Sequence, residues 1–130
     1  IEELKPGQAL TIALTARKDI EDLNLPVDEK NRLLAKTYWL EAQARADLPG
    51  KGETDALLIR AHKLAPFVTK YRERAAVAYF RTGEPELAIS IAGAVLNENP
   101  NSPRAWAVLS ELNPDLSVPA TVKAEPVYKT

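Results

Sequence analysis

The chain has 130 residues, 45% of them apolar and 27% charged, and its basic and acidic side chains nearly cancel to a formal charge of −1; this length suits one modest globular domain, and the balance excludes the strong overall positive potential of a general nucleic-acid or anionic-membrane binder. With no cysteine and a single histidine, His62, it excludes disulfide frameworks, thiolate zinc sites, cysteine nucleophiles and multi-histidine metal centres. No run approaches the roughly eighteen continuous apolar residues of a membrane-spanning helix, and a chain that opens on Ile1 without any methionine is expected to be a piece of a longer or processed protein.

Apolar residues recur at three- and four-residue spacing from Pro6 to Leu112, and no segment sustains the alternation of a half-buried strand, so an all-α chain is predicted. A first helix over 6–23 carries Leu10, Ala13, Leu14, Arg17 and Ile20 on one face and stops at Leu25-Pro26, because a proline pushes the preceding residue out of the helical region. The second is predicted from an Asp28 N-cap to Asp47, with Leu34, Tyr38, Ala42 and Arg45 on one side and Leu33, Trp39 and Leu40 widening the apolar surface. Residues 48–52, Leu-Pro-Gly-Lys-Gly, read as a loop. A third helix over 53–65 presents Leu57, Leu58, Ala61 and Leu64 before Pro66 ends it. The fourth covers 69–82; Gly83 then supplies a left-handed position and Pro85 sits just inside the next start. The fifth, 84–97, is almost continuously apolar or small and is expected to be buried on most sides. Ser102 caps a sixth helix over 103–112, with Pro103 first and Trp106, Leu109 and Leu112 as its stripe. Pro114, Pro119 and Pro126 bar a regular helix from 113–130. Leu116, Val118, Val122, Val127 and Tyr128 make this extended tail too apolar for a plain linker, and part of it is expected to pack on the sixth helix or beside Phe80, on its own domain or on a second copy.

Pro66 and Pro100 are 34 residues apart, and other positions keep that period. In a unit over 69–100, Ala75 and Ala76 precede a large plug at Tyr79, Gly83 lies in the turn, and Ala88, Ala92 and Val95 line the second helix. A shift of 34 residues carries Arg72 to Trp106 and Ala75 to Leu109; the reverse shift carries Arg72 to Tyr38, Ala92 to Leu58 and Val95 to Ala61. On these residues the chain resembles a tetratricopeptide-repeat domain, whose small residues sit at helix crossings and whose large ones fill the gaps between hairpins. The resemblance implies a right-handed stack of antiparallel helical hairpins, an α-solenoid, over 1–112. Its parts would be a capping helix over 6–23, a degenerate repeat over 35–66, a good repeat over 69–100 and a half repeat over 103–112, with the tail at 113–130. Its structural positions would be Tyr38, Ala61, Pro66, Tyr79, Gly83, Ala88, Val95, Pro100, Trp106 and Leu109. Gly93 would permit a close approach. Arg72, Ala92 and Thr54 depart from the family pattern, and an ordinary stack of α-hairpins outside the family would give much the same architecture.

Charge is uneven: 51–82 is predominantly basic and 83–112 predominantly acidic. By the resemblance, first helices line a concave groove, and the inward positions of the best unit form a peptide-binding set of Lys70, Glu73, Arg74, Val77, Phe80 and Arg81. Lys70 and Arg74 fall where chaperone-binding members clamp a terminal carboxylate, but Leu40, Ala44, Ala107 and Val108 stand in place of the rest of that clamp. A solvated helix face accounts for the same charges. With Tyr79 at the packing position, Phe80 is turned from it by about 100 degrees and is expected as an exposed anchor. Tyr38, Trp39, Phe67, Tyr71 and Trp106 are expected mostly in the core. His62 reads as a half-exposed surface residue, and the carboxylates Glu2, Glu3, Asp19, Glu21, Asp22, Asp28 and Glu29 cluster at helix ends, where the helix dipole and solvent suit them. No nucleophile elbow, phosphate loop or metal motif is present, so no catalytic residue, cofactor or metal is expected. The implied function is a non-catalytic module that binds a peptide or protein segment, with self-association through the tail or terminal helix open and neither nucleic-acid binding nor membrane insertion expected. The alternative is the soluble repeat appendage of a larger bacterial membrane or cell-envelope assembly, such as a glycan polymerase or ligase.

Overall fold

The computed structural model describes residues 5–46, 48, 52–119 and 122. Among these the chain is all-α, with six helices and no strand: α1 (Pro6–Asp22), α2 (Val27–Ala46), α3 (Gly52–Leu64), α4 (Thr69–Arg81), α5 (Pro85–Glu98) and α6 (Pro103–Leu112). They fall into two compact units, Ile1–Pro66 with α1 to α3 and Phe67–Thr130 with α4 to α6. The break lies beside Pro66, where the 34-residue spacing places a closing proline.

Local chemistry sets the boundaries. Pro6 opens α1, and the Lys5 backbone N–H donates to Gln8 Oε1 at 3.1 Å. At its other end, Lys30 of α2 reaches back to donate to the carbonyls of Glu21 at 2.8 Å and Leu23 at 3.3 Å, satisfying groups that a helix end leaves without partners. The second helix starts at Val27, not after Asp28. The Pro26 carbonyl already accepts from Lys30 N–H at 2.9 Å, so Asp28 and Glu29 sit inside the first turn and act through the dipole instead of capping. Ser102 does cap α6, its hydroxyl accepting from the Ala105 N–H at 3.3 Å. Gly83 takes the left-handed conformation at φ +81° with open space about it, so backbone freedom is the reason for glycine there. Gly93 also has open space where a Cβ would stand, and the close approach expected there is absent.

Side-chain pairs fix the directions of neighbouring helices. In the first unit, Lys30 meets the end of α1 while Glu41, further along α2, meets Arg17, further back in α1, so these helices are antiparallel. Arg45 with Glu53 and Tyr38 with Arg60 set the same relation between α2 and α3. In the second unit, Arg72 near the start of α4 meets Glu98 at the end of α5. There α5 packs on both α4 and α6, and α4 also packs on α6.

The core is built mainly from alanine. Among the described residues, thirteen of the twenty buried apolar ones are alanines; the larger ones are Tyr38, Leu58, Tyr71, Tyr79, Phe80, Val95 and Val108. Alanine has the highest helix propensity and lets backbones approach to the short end of the usual interaxial range. Two expectations fail here. The fifth helix is buried only along Ala88, Ala92 and Val95, with Leu87 and Ile89 exposed on its flanks; its neighbours cover one stripe, and its other apolar residues stand to either side. Likewise Leu14 of α1 and Phe67 are exposed, not core.

Enlarging a crossing residue should therefore be costly. Ala92→Leu is expected to destabilise by about 1 to 3 kcal/mol through overpacking, and Gly83→Ala by about 1 kcal/mol through the left-handed backbone alone. Urea unfolding followed by circular dichroism measures both; a neutral Ala92→Leu would mean that α5 does not meet its neighbours through this stripe.

Candidate functional site

Helical spacing puts Lys70, Arg74, Val77 and Arg81 within an arc of about 60 degrees on α4. Lys70 is exposed, its ammonium 5.6 Å from the Tyr71 ring centroid, and the other three are half-buried. The two remaining members of the expected set stand off this line. Glu73 is half-buried with its carboxylate 3.8 Å from the Arg104 guanidinium of α6. Phe80 is a core residue at 6% exposure, which corrects its reading as an exposed anchor. Tyr79 and Phe80 are both buried because α4 is packed over a wide arc, its buried residues being Tyr71, Ala75, Ala76, Ala78, Tyr79 and Phe80. The surviving line carries three cations and one valine.

At the start of α4, Arg72 holds the place where the repeat pattern favours an aromatic. Its Nη2 lies 2.6 Å from Glu98 Oε1 and donates to the Phe67 carbonyl at 3.3 Å, while Thr69 Oγ1 donates to Glu98 Oε2 at 2.7 Å. These hydrogen bonds, Thr69's foremost, then that of Arg72, hold the Glu98 carboxyl below its usual range. An ion pair here does the bridging that a large ring would do by packing. Trp106, expected as such a plug in α6, is half-buried, and its indole N–H donates to the Pro100 carbonyl at 2.6 Å.

The densest polar cluster lies in the first unit, around Glu41, whose side chain is 6% exposed. Arg17 of α1 contacts one of its oxygens at 2.6 Å, and Arg45 contacts the other at 2.7 Å while reaching Glu53 of α3 at 3.1 Å. Arg17 Nε also donates to Thr37 Oγ1 at 3.1 Å, and that hydroxyl donates in turn to the Leu34 carbonyl at 2.7 Å. The Arg17 guanidinium lies 3.7 Å from the Tyr38 ring centroid and that of Arg60 lies 4.9 Å from it. Burial alone would push the Glu41 carboxyl up; hydrogen bonds from Arg45 and Arg17, with their charges, outweigh it and hold the group below the usual range. Glu41 thus stays ionised with both oxygens engaged, an anchor joining three helices. It was absent from the sequence reading, although two signals pointed to it: its i, i+4 spacing to Arg45, and an arginine set on the apolar face of α1.

His62 is half-buried on α3. Among the described residues no group of three or more His, Cys, Asp or Glu is placed to hold a metal ion, and no helix is long and apolar enough to cross a membrane. Comparison with protein-family models, with curated proteins and with solved structures finds no match to the chain.

Removing the Glu41 charge leaves two guanidinium groups without their buried partner. Glu41→Gln is expected to destabilise the chain by about 3 kcal/mol at neutral pH. Because the folded-state value is depressed, this contribution is present above the ordinary carboxylate range and is lost as pH falls through the lowered value. Urea midpoints measured across acid pH should fall in the wild type and flatten in the variant; parallel curves would remove Glu41 from this role.

Proposed function

We propose that the chain is a helical-repeat interaction module of the tetratricopeptide type, without chemistry of its own, that holds an acidic, extended protein segment along Lys70, Arg74, Val77 and Arg81. The observation that carries this reading is the single-file arrangement of three cations along one line of α4. The fully buried Ala61 and Ala88 support the repeat assignment, since both are among the structural positions it names.

Spacing defines the ligand. Residues 70 to 81 of a helix rise about 16 Å, the length of about five extended residues, so carboxylates about two and then three ligand residues apart would meet the three cations while an apolar residue between the last two meets Val77. Magnitude limits the affinity. Partly exposed ion pairs contribute about 0.2 to 1 kcal/mol each, well short of the roughly 8 kcal/mol of a micromolar complex. Binding is then weak and salt-dependent unless backbone hydrogen bonds and the Val77 contact add to it.

Fluorescence anisotropy with labelled peptides of Glu and Leu at that spacing tests this reading. Affinity is expected to fall about tenfold or more for Lys70→Glu/Arg74→Glu, and to weaken as salt shortens the screening length. An unchanged affinity in a variant whose circular dichroism and melting match the wild type would remove this surface.

A further inference from the structure

The stretch after α6 is neither helix nor strand, yet its exposure alternates. Asp115, Ser117 and Pro119 are exposed, and Leu116 and Val118 between them are half-buried. A period of two is the mark of extended backbone lying with one side against a surface; a solvated linker would expose both sides. The turn leading into it is built: Asn113 Oδ1 accepts from Asp115 N–H at 3.3 Å, and the Asn113 carbonyl accepts from Leu116 N–H at 3.0 Å. The chain therefore turns back at Pro114-Asp115.

Helix α6 supplies the surface. Within its unit it packs on α5 and α4, and Ala105, Ala107 and Val108 are buried. By helical spacing Leu109, Trp106 and Ser110 share one further arc beside Ala105, whereas Leu112 falls between Val108 and Ala105. They too are only half-exposed, leaving Pro103 and Glu111 as the exposed residues of the helix. Ser110 Oγ is closed off from solvent with no hydrogen-bond partner among the described residues, as happens to an outward hydroxyl when apolar atoms lie over it. Extended residues 116–119 reach about 13 Å, close to the roughly 15 Å that ten helical residues rise, before the chain turns again where the Pro119 carbonyl accepts from the Val122 N–H at 3.0 Å.

We propose that residues 115–119 form a strap folded back along α6, seating Leu116 and Val118 on the side of Trp106 and Leu109. The strap occupies the face on which a further helix would otherwise stack, so a helix reaches Trp106 only after the strap lifts. This inference rests on the exposure pattern, the turn at Asn113 and the enclosed Ser110 hydroxyl, and stands whether or not α4 binds an acidic segment.

The full chain carrying Trp39→Phe leaves Trp106 as the one indole for the test. In that background Leu116→Asp/Val118→Asp is compared with Ser117→Asp, which adds charge on the solvent side. Acrylamide quenching of Trp106 is expected to rise about twofold in the double variant, with faster amide exchange in α6, and to stay at the parent level for Ser117→Asp. Unchanged quenching and exchange in the double variant overturn the strap, and so does an equal rise with Ser117→Asp. Should the aspartates prevent folding, Leu116→Ser/Val118→Ser serves in their place, and unchanged quenching there overturns the proposal equally.

Discussion

The helices of both units meet through methyl groups, and that closeness constrains the rest of the chain. Ala35, Ala42 and Ala61 in one unit, and Ala75, Ala76, Ala78, Ala88, Ala92 and Ala105 in the other, have no exposed surface. A methyl buries little area, so each such residue contributes little by transfer from water. What it allows is backbone approach, with the dispersion contacts that dense packing brings. Few large side chains fit between helices so placed, and those that do, Tyr38, Tyr71, Tyr79 and Phe80, stand where crossings leave gaps.

The two units fill those gaps by different chemistry. Around Tyr38 the first unit sets Arg17 and Arg60 near the ring and ties Arg17 and Arg45 to Glu41. Buried ion pairs add little net stability compared with apolar packing, but they penalise misalignment. A shift of α1 by one turn would bury Arg17 away from its carboxylate. In the second unit Tyr71, Tyr79 and Phe80 are buried on α4, and charge is moved outward to Arg72 and Glu98 at the rim. Lys70, Arg74 and Arg81 stand along another line of the same helix.

Periodicity and end signals made the helices legible, because proline, glycine and serine act on the backbone of their own neighbourhood. Pro103, Ser102, Gly83 and Pro85 all do locally what their chemistry implies. Burial was legible only in part. The composition of α5 suggested burial all round, but a helix is covered where it has neighbours, and Leu87 and Ile89 fall outside that stripe. Phe80 was misplaced for the converse reason: the argument that adjacent residues point apart assumes one packed face, whereas α4 is packed over a wide arc. Glu41 escaped notice because a carboxylate amid a polar helix looks solvated until Arg17, twenty-four positions away in sequence, is brought to it.

A core of methyl groups also governs how stability varies with temperature. Heat capacity rises on unfolding in proportion to the apolar area that becomes hydrated, and alanine crossings hide less of it than a leucine core of equal residue count. The stability curve of such a chain is shallow: it peaks low and falls away slowly on both warming and cooling. The ion cluster at Glu41 bends the same way, since the desolvation of charge becomes less costly with heat.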